Sequence, residues 1–303
     1  MEMEYQVWNS SMKSEWKRLT RFDSKNAMVV DKTDTYTSIQ AAIDSAGPGG
    51  VVIIEPSHYF EDIHITKPLK LLAREDSSET LIFGQLVVES SNVTVNGFQI
   101  HALNLLKSSL VVKNATSVSI QNCQFYGSKQ FKFLSHSNHH STSALHLQNS
   151  DNFHLINNFF KDFSVGLSIN NCTDCTIVGN SLTSCVAAVH TISSNGVKIT
   201  RNYFVRNLVT LESESLELVD HILDNNIFEK NSAIFKRDKA LSRIDLEELI
   251  GHSLAPKKQL SHFDSKDLAI SPEVLIYGTC DAESEQHLRF QSYHPCIYIK
   301  GEL

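Results

Sequence analysis

The sequence predicts an all-β solenoid in which one chain coils as a single-stranded parallel β-helix. Short segments of alternating apolar and polar residues recur about every 22 residues, and an Asn-rich corner followed by Phe or Leu closes each copy. A rung of this kind has one apolar side that only its neighbours can bury. A repeat of this length therefore indicates stacked rungs. The aligned copies are residues 109–128, 144–163, 166–185, 187–207 and 209–231.

Equivalent positions of successive rungs are expected to form ladders of like residues. The strand centres are assigned to Val95, Ile120, Ile156, Ile177, Ile199 and Ile222. The position after the corner is assigned to Phe125, Phe160, Leu182, Phe204 and Phe228. The corner itself is assigned to Asn122, Asn158, Asn180, Asn202 and Asn225. Asn tolerates left-handed backbone and its amide hydrogen-bonds neighbouring backbone, so this residue type suits a tight corner.

Three cysteines lie close together in the repeat, at Cys172, Cys175 and Cys185. A Cys-x-x-Cys pair without a second pair or a neighbouring His is a weak sign of zinc, and a thioredoxin-like redox motif needs a βαβ unit. We expect free thiols packed in the core, because a free Cys behaves as a small apolar residue. We expect neither a metal nor a cofactor.

Both ends of the chain are expected to cap the solenoid. Residues 1–33 are predicted as a helical segment and residues 34–237 as the β-helix. Helix 37–46 opens the solenoid, and Thr37-x-x-Gln40 has the spacing of a capping box. This helix, with the turn and strand that follow, resembles the entry to pectin-lyase-like β-helices. The resemblance implies a right-handed coil, in agreement with the right-handed crossover rule.

The repeat stops after residue 237. We predict a C-terminal cap over residues 238–303, with an amphipathic helix at 238–250, a polar linker, and short strands at 272–278, 287–290 and 296–303. A cap is favoured because an exposed β-helix end invites edge pairing with other chains. The alternative is a tail that binds a partner.

The segment that follows the last rung carries a more specific signal, Arg243-Ile-Asp-Leu-Glu-Glu-Leu-Ile250. In this segment and in its rungs the chain resembles the C-terminal β-helix region of the Nessun dorma / Shc-binding protein family of cytokinesis proteins. The resemblance implies a cytoplasmic, non-catalytic scaffold at the intercellular bridge or midbody, with centralspindlin components as partners. It also implies that longer relatives carry a further N-terminal half. The candidate partner-binding residues are Arg243, Asp245, Glu247 and Glu248.

Outward positions of the rungs hold the candidate ligand-binding residues. The first strands present Val111, His146, Ser168, His190 and Glu212, and the second strands present Asn157, Val178, Thr200 and Leu223. Glycoside hydrolysis generally needs two facing carboxylates, and neither row holds two, so no catalytic residue is assigned. His190 and Glu212, on neighbouring rungs, form either a general base or a solvated cross-strand pair.

An inserted loop leaves the solenoid beside the His146 row. It carries three histidines, which either bind a metal or belong to a polar loop. Protruding loops on a rigid scaffold often carry function, so a ligand groove for sugar hydroxyls is placed here. Its further candidate residues are His136, His139, His140 and Tyr126.

Composition narrows the classes of function. A net charge of −7 without a basic run argues against nucleic acid as a partner. No apolar stretch reaches the length of a membrane span. Within these limits, the resemblance to the cytokinesis family implies a non-catalytic cytokinesis scaffold, and we expect its β-helix to bind a carbohydrate or another ligand. The alternatives are a polysaccharide-active lyase, hydrolase or esterase, and a pure protein-interaction module that uses the acidic helix.

Overall fold

The chain coils into a right-handed parallel β-solenoid of about seven turns with three parallel sheets, which confirms the predicted fold class. The computed structural model describes residues 27–31, 37–74, 79–101, 107–128, 143–213, 218, 222–223, 225–236, 272–277 and 297–301.

Each complete turn contributes one strand to each of the three sheets, and one short helix precedes the first complete turn. In chain order the elements are β1 (Met28–Val30), α1 (Ile39–Ser45), β2 (Gly50–Ile54), β3 (Ser57–Tyr59), β4 (Ile63–Ile65), β5 (Leu69–Ala73), β6 (Thr80–Phe83), β7 (Leu86–Val88), β8 (Thr94–Asn96), β9 (Gln99–His101), β10 (Leu110–Lys113), β11 (Ser119–Gln121), β12 (Gln124–Tyr126), β13 (Ser143–Gln148), β14 (His154–Ile156), β15 (Phe159–Lys161), β16 (Val165–Asn170), β17 (Thr176–Val178), β18 (Ser181–Thr183), β19 (Ala187–Ile192), β20 (Lys198–Thr200), β21 (Tyr203–Val205), β22 (Val209–Ser213), β23 (Ile227–Glu229), β24 (Ala233–Lys236), β25 (Pro272–Tyr277) and β26 (Ile297–Gly301).

The strands of a turn run from the first sheet to the third and then to the second. The first sheet has the order β1-β2-β5-β8-β11-β14-β17-β20, and the third has β3-β6-β9-β12-β15-β18-β21-β23. The second has β4-β7-β10-β13-β16-β19-β22-β24, and β25 and β26 extend it in antiparallel pairing. Two of the predicted C-terminal strands, at 272–278 and 296–303, are thus present. Residues 238–250 and 287–290 lie outside the described part of the chain.

The inward ladder of the first sheet is apolar throughout, but its register corrects two assignments. Ile177 pairs with Leu155 rather than with Ile156, and the side chain of Leu155 is fully buried. Ile156 lies in the half-buried row that pairs with Val178. Ile222 is buried but helical, so it does not continue the strand ladder, and the first sheet ends at β20. The matching of Ile with Ile shifted the predicted alignment by one residue, because Leu fills the same inward position equally well.

The ladder after the corner is confirmed. Phe125, Phe160, Leu182, Phe204 and Phe228 pair in register along the third sheet. The rings of Phe125 and Phe160 stack with centroids 4.8 Å apart, and those of Phe204 and Phe228 stack at 5.5 Å. Such offset stacking adds to the burial of apolar area.

The corner contains two adjacent ladders where one was predicted. Asn158, Asn180 and Asn202 are fully buried, and the amide of each donates to the carbonyl oxygen two residues earlier. Asn226, rather than Asn225, continues this ladder and accepts from Asn202. The left-handed backbone belongs to the preceding position, which holds Asn122, Asn157, Gly179 and Arg201. Asn122 therefore belongs to the left-handed set, and the buried position of its rung is Cys123, whose backbone N–H donates to Asn158.

Three cysteines lie at corners of the rungs, where one strand has ended and the next has not begun. The thiols of Cys123, Cys172 and Cys185 each donate to the carbonyl oxygen two residues earlier, as the ladder Asn amides do. Burial raises the pKa of Cys123 to about 12. A hydrogen bond between the thiols of Cys172 and Cys175 lowers the pKa of Cys172 and raises the pKa of Cys175. All four cysteines in the described part of the chain are buried and none of them is in a disulfide.

Helix α1 covers the N-terminal end of the core with Ile39, Ala42 and Ile43. The N-cap is Ser38, one residue after the predicted Thr37, and its hydroxyl accepts from the N–H of Ala41 at 3.3 Å. The carboxylate that completes this cap belongs to Glu61, in the connection between β3 and β4. Residues 28–30, predicted as part of a helical segment, instead form β1 and pair in parallel with β2. No helix in the described residues is long and apolar enough to cross a membrane.

Candidate functional site

The predicted outward row of the second sheet aligns as expected from the sequence. Val111 pairs with His146, His146 with Ser168, Ser168 with His190, and His190 with Glu212. The Nδ1 atom of His146 lies 3.2 Å from the hydroxyl oxygen of Ser168. The repeat length within this sheet was therefore read correctly.

Most residues of this row are buried, so the row does not line an open groove. Ser168, His190 and Glu212 have relative exposures of 1%, 2% and 0%, and His146 is half-buried. His190 and Glu212 are therefore covered by neighbouring groups in this structure. The assignment of this row to ligand binding stays a prediction. The low exposure of its residues does not support it.

The other predicted site residues divide into three groups. In the second outward row the true neighbours are Ile156, Val178 and Thr200, so Asn157 was placed one residue too far along. Leu223 is helical and buried. Tyr126 lies on the third sheet, away from the His146 row. The remaining candidates lie outside the described residues and stay predictions: His136, His139, His140, Arg243, Asp245, Glu247 and Glu248.

Tyr126 belongs to a continuous line of rings on the outward face of the third sheet. The rings of Phe60 and Phe83 stack with centroids 4.8 Å apart, those of Phe83 and His101 at 5.1 Å, and those of His101 and Tyr126 at 5.2 Å. The interplanar angles are 10°, 21° and 10°. We call Phe60, Phe83, His101 and Tyr126 the aromatic row. Since each member stands on a different rung, the row runs along the solenoid axis.

The rings of the aromatic row are offset rather than stacked flat. Carbon atoms in contact lie about 3.5–4.0 Å apart, whereas these centroids are 4.8–5.2 Å apart in near-parallel planes. Each ring therefore stacks on its neighbour with a lateral offset. Phe83, His101 and Tyr126 are half-buried, and Phe60, at the N-terminal end, is 70% exposed.

Amide side chains lie beside the two polar rings. The amide Nε2 of Gln99 lies 2.6 Å from Nε2 of His101, and the hydroxyl of Tyr126 donates to Oε1 of Gln124 at 2.9 Å. These contacts hold both rings in place. Burial lowers the pKa of His101, which favours the neutral imidazole.

Further aromatic and polar groups flank the aromatic row. Phe159 lies at a tilt against Tyr126 with centroids 5.8 Å apart, and His58 meets Phe83 edge-on at 5.9 Å. Beyond Tyr126, the positions of the third sheet that pair in the same register are Lys161, Thr183, Val205 and Glu229. Among the described outward positions of these strands Glu229 is the one carboxylate, so the pair of acids that glycoside hydrolysis needs does not occur there.

Three members of the aromatic row were not predicted as site residues from the sequence, namely Phe60, Phe83 and His101. A signal for them exists. In "SHYF", "LIFG", "QIH" and "QFY" an aromatic residue follows directly after each buried position of the third sheet. Finding it requires an alignment of the early rungs with the later ones. The loops between strands vary in length in that part of the chain, and this variation hides the period.

A metal site receives no support from the described part of the chain. No group of three or more His, Cys, Asp or Glu side chains lies close enough together there to hold a metal ion. Cys172 and Cys175 are in contact with each other, but both are fully buried, and no third ligand joins them among the described residues.

Comparison with known proteins relates the chain to one family. The family model described as "Periplasmic copper-binding protein (NosD)" matches residues 72–229, more than half of the chain. The match runs from the second complete turn to β23 and so covers the aromatic row except Phe60. No curated protein matches the sequence significantly.

Solved structures with a similar course of the chain are pectin-lyase-like β-helices and related solenoids. The catalytic domain of an α-1,3-glucanase, solved with tetrasaccharides, has 12% identity and a TM-score of 0.48, over 69% of this chain and 39% of the glucanase chain. PfbA, a surface adhesin of Streptococcus pneumoniae, has 13% identity and a TM-score of 0.39, over 70% and 80% of the two chains. Pectin methylesterase PemA from Erwinia chrysanthemi has 12% identity and a TM-score of 0.32, over 72% and 82%. Similarity at this level concerns the fold and carries no information on activity.

Proposed function

The chain belongs to the NosD family of parallel β-helix proteins, and from that premise and its surface geometry we propose that it is a non-catalytic scaffold that binds carbohydrate along the aromatic row. The observation that carries the proposal is the line of partly exposed aromatic side chains with amide groups beside them. Sugars present apolar C–H faces and polar hydroxyl edges. A surface with partly exposed aromatic side chains next to amide, hydroxyl and imidazole groups offers apolar and polar partners for both.

The absence of a facing carboxylate pair among the described positions of this sheet favours binding over hydrolysis. The rival interpretation as a polysaccharide-active enzyme comes from the fold, and the general base that the sequence offers for it is the pair of His190 and Glu212. Both are buried at 2% exposure or less, which supports the non-catalytic interpretation.

Copper, which the family is named for, is not part of the proposal. Soft or borderline metal sites use several His or Cys ligands around one point. The described residues offer no such group of three, so no role is derived through the metal.

The cytokinesis role rests on a separate observation, the Arg243–Ile250 segment. Binding of centralspindlin components through Arg243, Asp245, Glu247 and Glu248, and a cytoplasmic or midbody location, stay proposals from that sequence resemblance. Charge reversal of these residues tests them, because it is expected to abolish recovery of the partner without altering the solenoid.

The carbohydrate proposal is tested by titrating the purified chain with a panel of soluble polysaccharides and weighing each glycan by mass spectrometry before and after incubation. We expect at least one member to bind with no change of mass. Phe83→Ala is expected to weaken this binding about tenfold, because one aromatic contact is lost.

Tyr203→Ala is the matched control, since Tyr203 is an exposed ring on the same sheet at 47% exposure but outside the aromatic row. It is expected to leave the affinity within about twofold of the unaltered chain. A change of glycan mass would contradict the non-catalytic role. Equal losses in the two variants would contradict the placement of the site.

A further inference from the structure

One cationic side chain follows directly after the last ring of the aromatic row. Lys161 on β15 pairs in register with Tyr126 on β12, so it occupies the next rung of the same outward line. Phe159, two residues earlier on β15, belongs to the same outward face because side chains alternate along a strand. Its ring lies at a tilt against Tyr126, with centroids 5.8 Å apart. Lys161 therefore shares this surface with two aromatic side chains.

The ammonium group of Lys161 is not used within the described fold. Two other half-buried lysines are used: Lys67 donates to a backbone carbonyl oxygen at 2.9 Å, and Lys113 pairs with a carboxylate at 2.6 Å. Lys161 is also half-buried, but no hydrogen bond or ion pair engages its ammonium group in the part of the chain that the structure describes. Partial burial costs hydration that an anion from a ligand would compensate.

The residues around Lys161 do not supply that anion. The nearest carboxylate on the same outward line belongs to Glu229, three rungs further along. At the strand spacing of about 4.8 Å this is about 14 Å away, beyond the screening length of about 8 Å at physiological salt. Asp162, the next residue along the chain, is buried and has a partner of its own. The neighbouring outward line holds four uncharged residues at these rungs, Gln124, Phe159, Ser181 and Tyr203.

The charge of the whole chain limits how acidic the ligand is. A net charge of −7 repels a dense polyanion at a distance. One unused ammonium group pairs with one anionic group in a charge-assisted hydrogen bond. These two terms together favour a ligand whose acidic groups are scattered among neutral sugars.

We propose that the carbohydrate bound at the aromatic row carries an isolated anionic substituent, a carboxylate or a sulfate ester, which pairs with Lys161 beside Tyr126. This inference rests on the proposed carbohydrate-binding function. The aromatic neighbours of Lys161 lower the local dielectric, so this ion pair is stronger than one in open water.

Matched pairs of polysaccharides test the inference. Glucuronoxylan and gum arabic carry scattered carboxylates, and porphyran carries sulfate esters. Isothermal titration calorimetry compares each one, and every other acidic polysaccharide that binds, with its own carboxyl-reduced or desulfated form. We expect at least one acidic polysaccharide to bind about tenfold more tightly than its neutral form, and the series in which this occurs identifies the anion. Polygalacturonate, a dense polyanion, is expected to bind more weakly.

Lys161→Met keeps an unbranched side chain and removes the charge. It is expected to weaken binding of that acidic polysaccharide about tenfold and to change the affinity for the neutral form less than about twofold. Lys161→Arg is expected to keep the affinity. Lys198→Met, at an exposed lysine of the first sheet, is the matched control and should bind as the unaltered chain does. Circular dichroism checks the folding of all three variants.

Three results would overturn this inference and leave carbohydrate binding intact. They are equal affinity for the acidic and neutral forms or binding confined to neutral polysaccharides, equal losses in Lys161→Met and Lys198→Met, and tightest binding of polygalacturonate. A complete lack of binding to the acidic forms, the neutral forms and the polysaccharide panel would overturn the proposed function as well.

Discussion

Single buried amides hold the corners of this solenoid together. The side chain of Asn180 donates to the carbonyl oxygens of Leu155 and Val178 at 2.9 and 3.1 Å. Its Oδ1 accepts from the backbone N–H of Asn158 at 2.8 Å. The same pattern repeats one rung later at Asn202. Buried backbone groups that no strand pairing can reach at a corner obtain their partners in this way.

Asn180→Ala is expected to destabilise the chain by roughly 2–4 kcal/mol, because it leaves several buried donors and acceptors unpaired at once. Urea unfolding followed by circular dichroism measures the change. Asn195→Ala, at an exposed Asn of the next turn, is the control and should stay within about 0.5 kcal/mol. Similar losses in both variants would show that the ladder amides add little.

At the scale of the element, helix α1 depends on a carboxylate from another part of the chain. The Oε1 atom of Glu61 accepts from the N–H of Ile39 at 2.8 Å, and its Oε2 accepts from the N–H of Gln40 at 3.0 Å and from the hydroxyl of Ser38 at 2.8 Å. A negative charge at a helix N-terminus satisfies orphan N–H groups and opposes the positive end of the helix dipole. A helix of 7 residues is too short to be stable alone, so it relies on this brace and on its buried face.

Glu61→Ala is expected to cost about 1–2 kcal/mol and to loosen the helix before the solenoid unfolds. Hydrogen exchange read by mass spectrometry should show faster exchange over residues 39–45 and little change in the central rungs. Glu229→Ala removes an exposed carboxylate at the other end of the third sheet and should leave both regions unchanged. Uniform acceleration along the whole chain would argue that the helix is not a separate unit.

At the scale of the whole molecule, the aromatic row links four rungs, and we expect its histidine to make the stability of the solenoid depend on pH. Burial lowers the pKa of His101 below the value of an unfolded histidine, which is about 6.5. As the pH falls, the unfolded chain therefore binds the proton first. Linkage then requires that stability falls as the pH decreases from about 6.5 through the lowered pKa, and that His101 has no effect above that window.

His101→Phe keeps a stacked ring and removes the titration. We expect the melting temperature of this variant to fall less than that of the unaltered chain between pH 7 and the acid side of the window. Differential scanning calorimetry across this pH range measures both profiles. Parallel profiles would show that other groups cause the acid sensitivity.

The regular repeat of a β-helix explains why the inward-facing residues could be predicted from the sequence. Phe125, Phe160, Leu182 and Phe204 recur at intervals set by the rung, and every inward position requires an apolar residue. Their pairing was therefore predicted correctly. Errors arose where two residue types serve one position equally well. The prediction chose Ile156 where the structure has Leu155. At the corner it chose Asn122 and Asn225 where the structure has Cys123 and Asn226. Each error is a shift of one residue.

The period of two within strands and of about 22 between them by itself determined the solenoid, its inward ladders and the outward alignment of His146, Ser168, His190 and Glu212. Only the tertiary structure decided which outward row is open, since burial depends on what packs against a face and not on the repeat. It also assembled Phe60, Phe83, His101 and Tyr126 into one line, because loops of unequal length separate these residues along the chain. Stacking of the rungs brings each ring within 4.8–5.2 Å of the next.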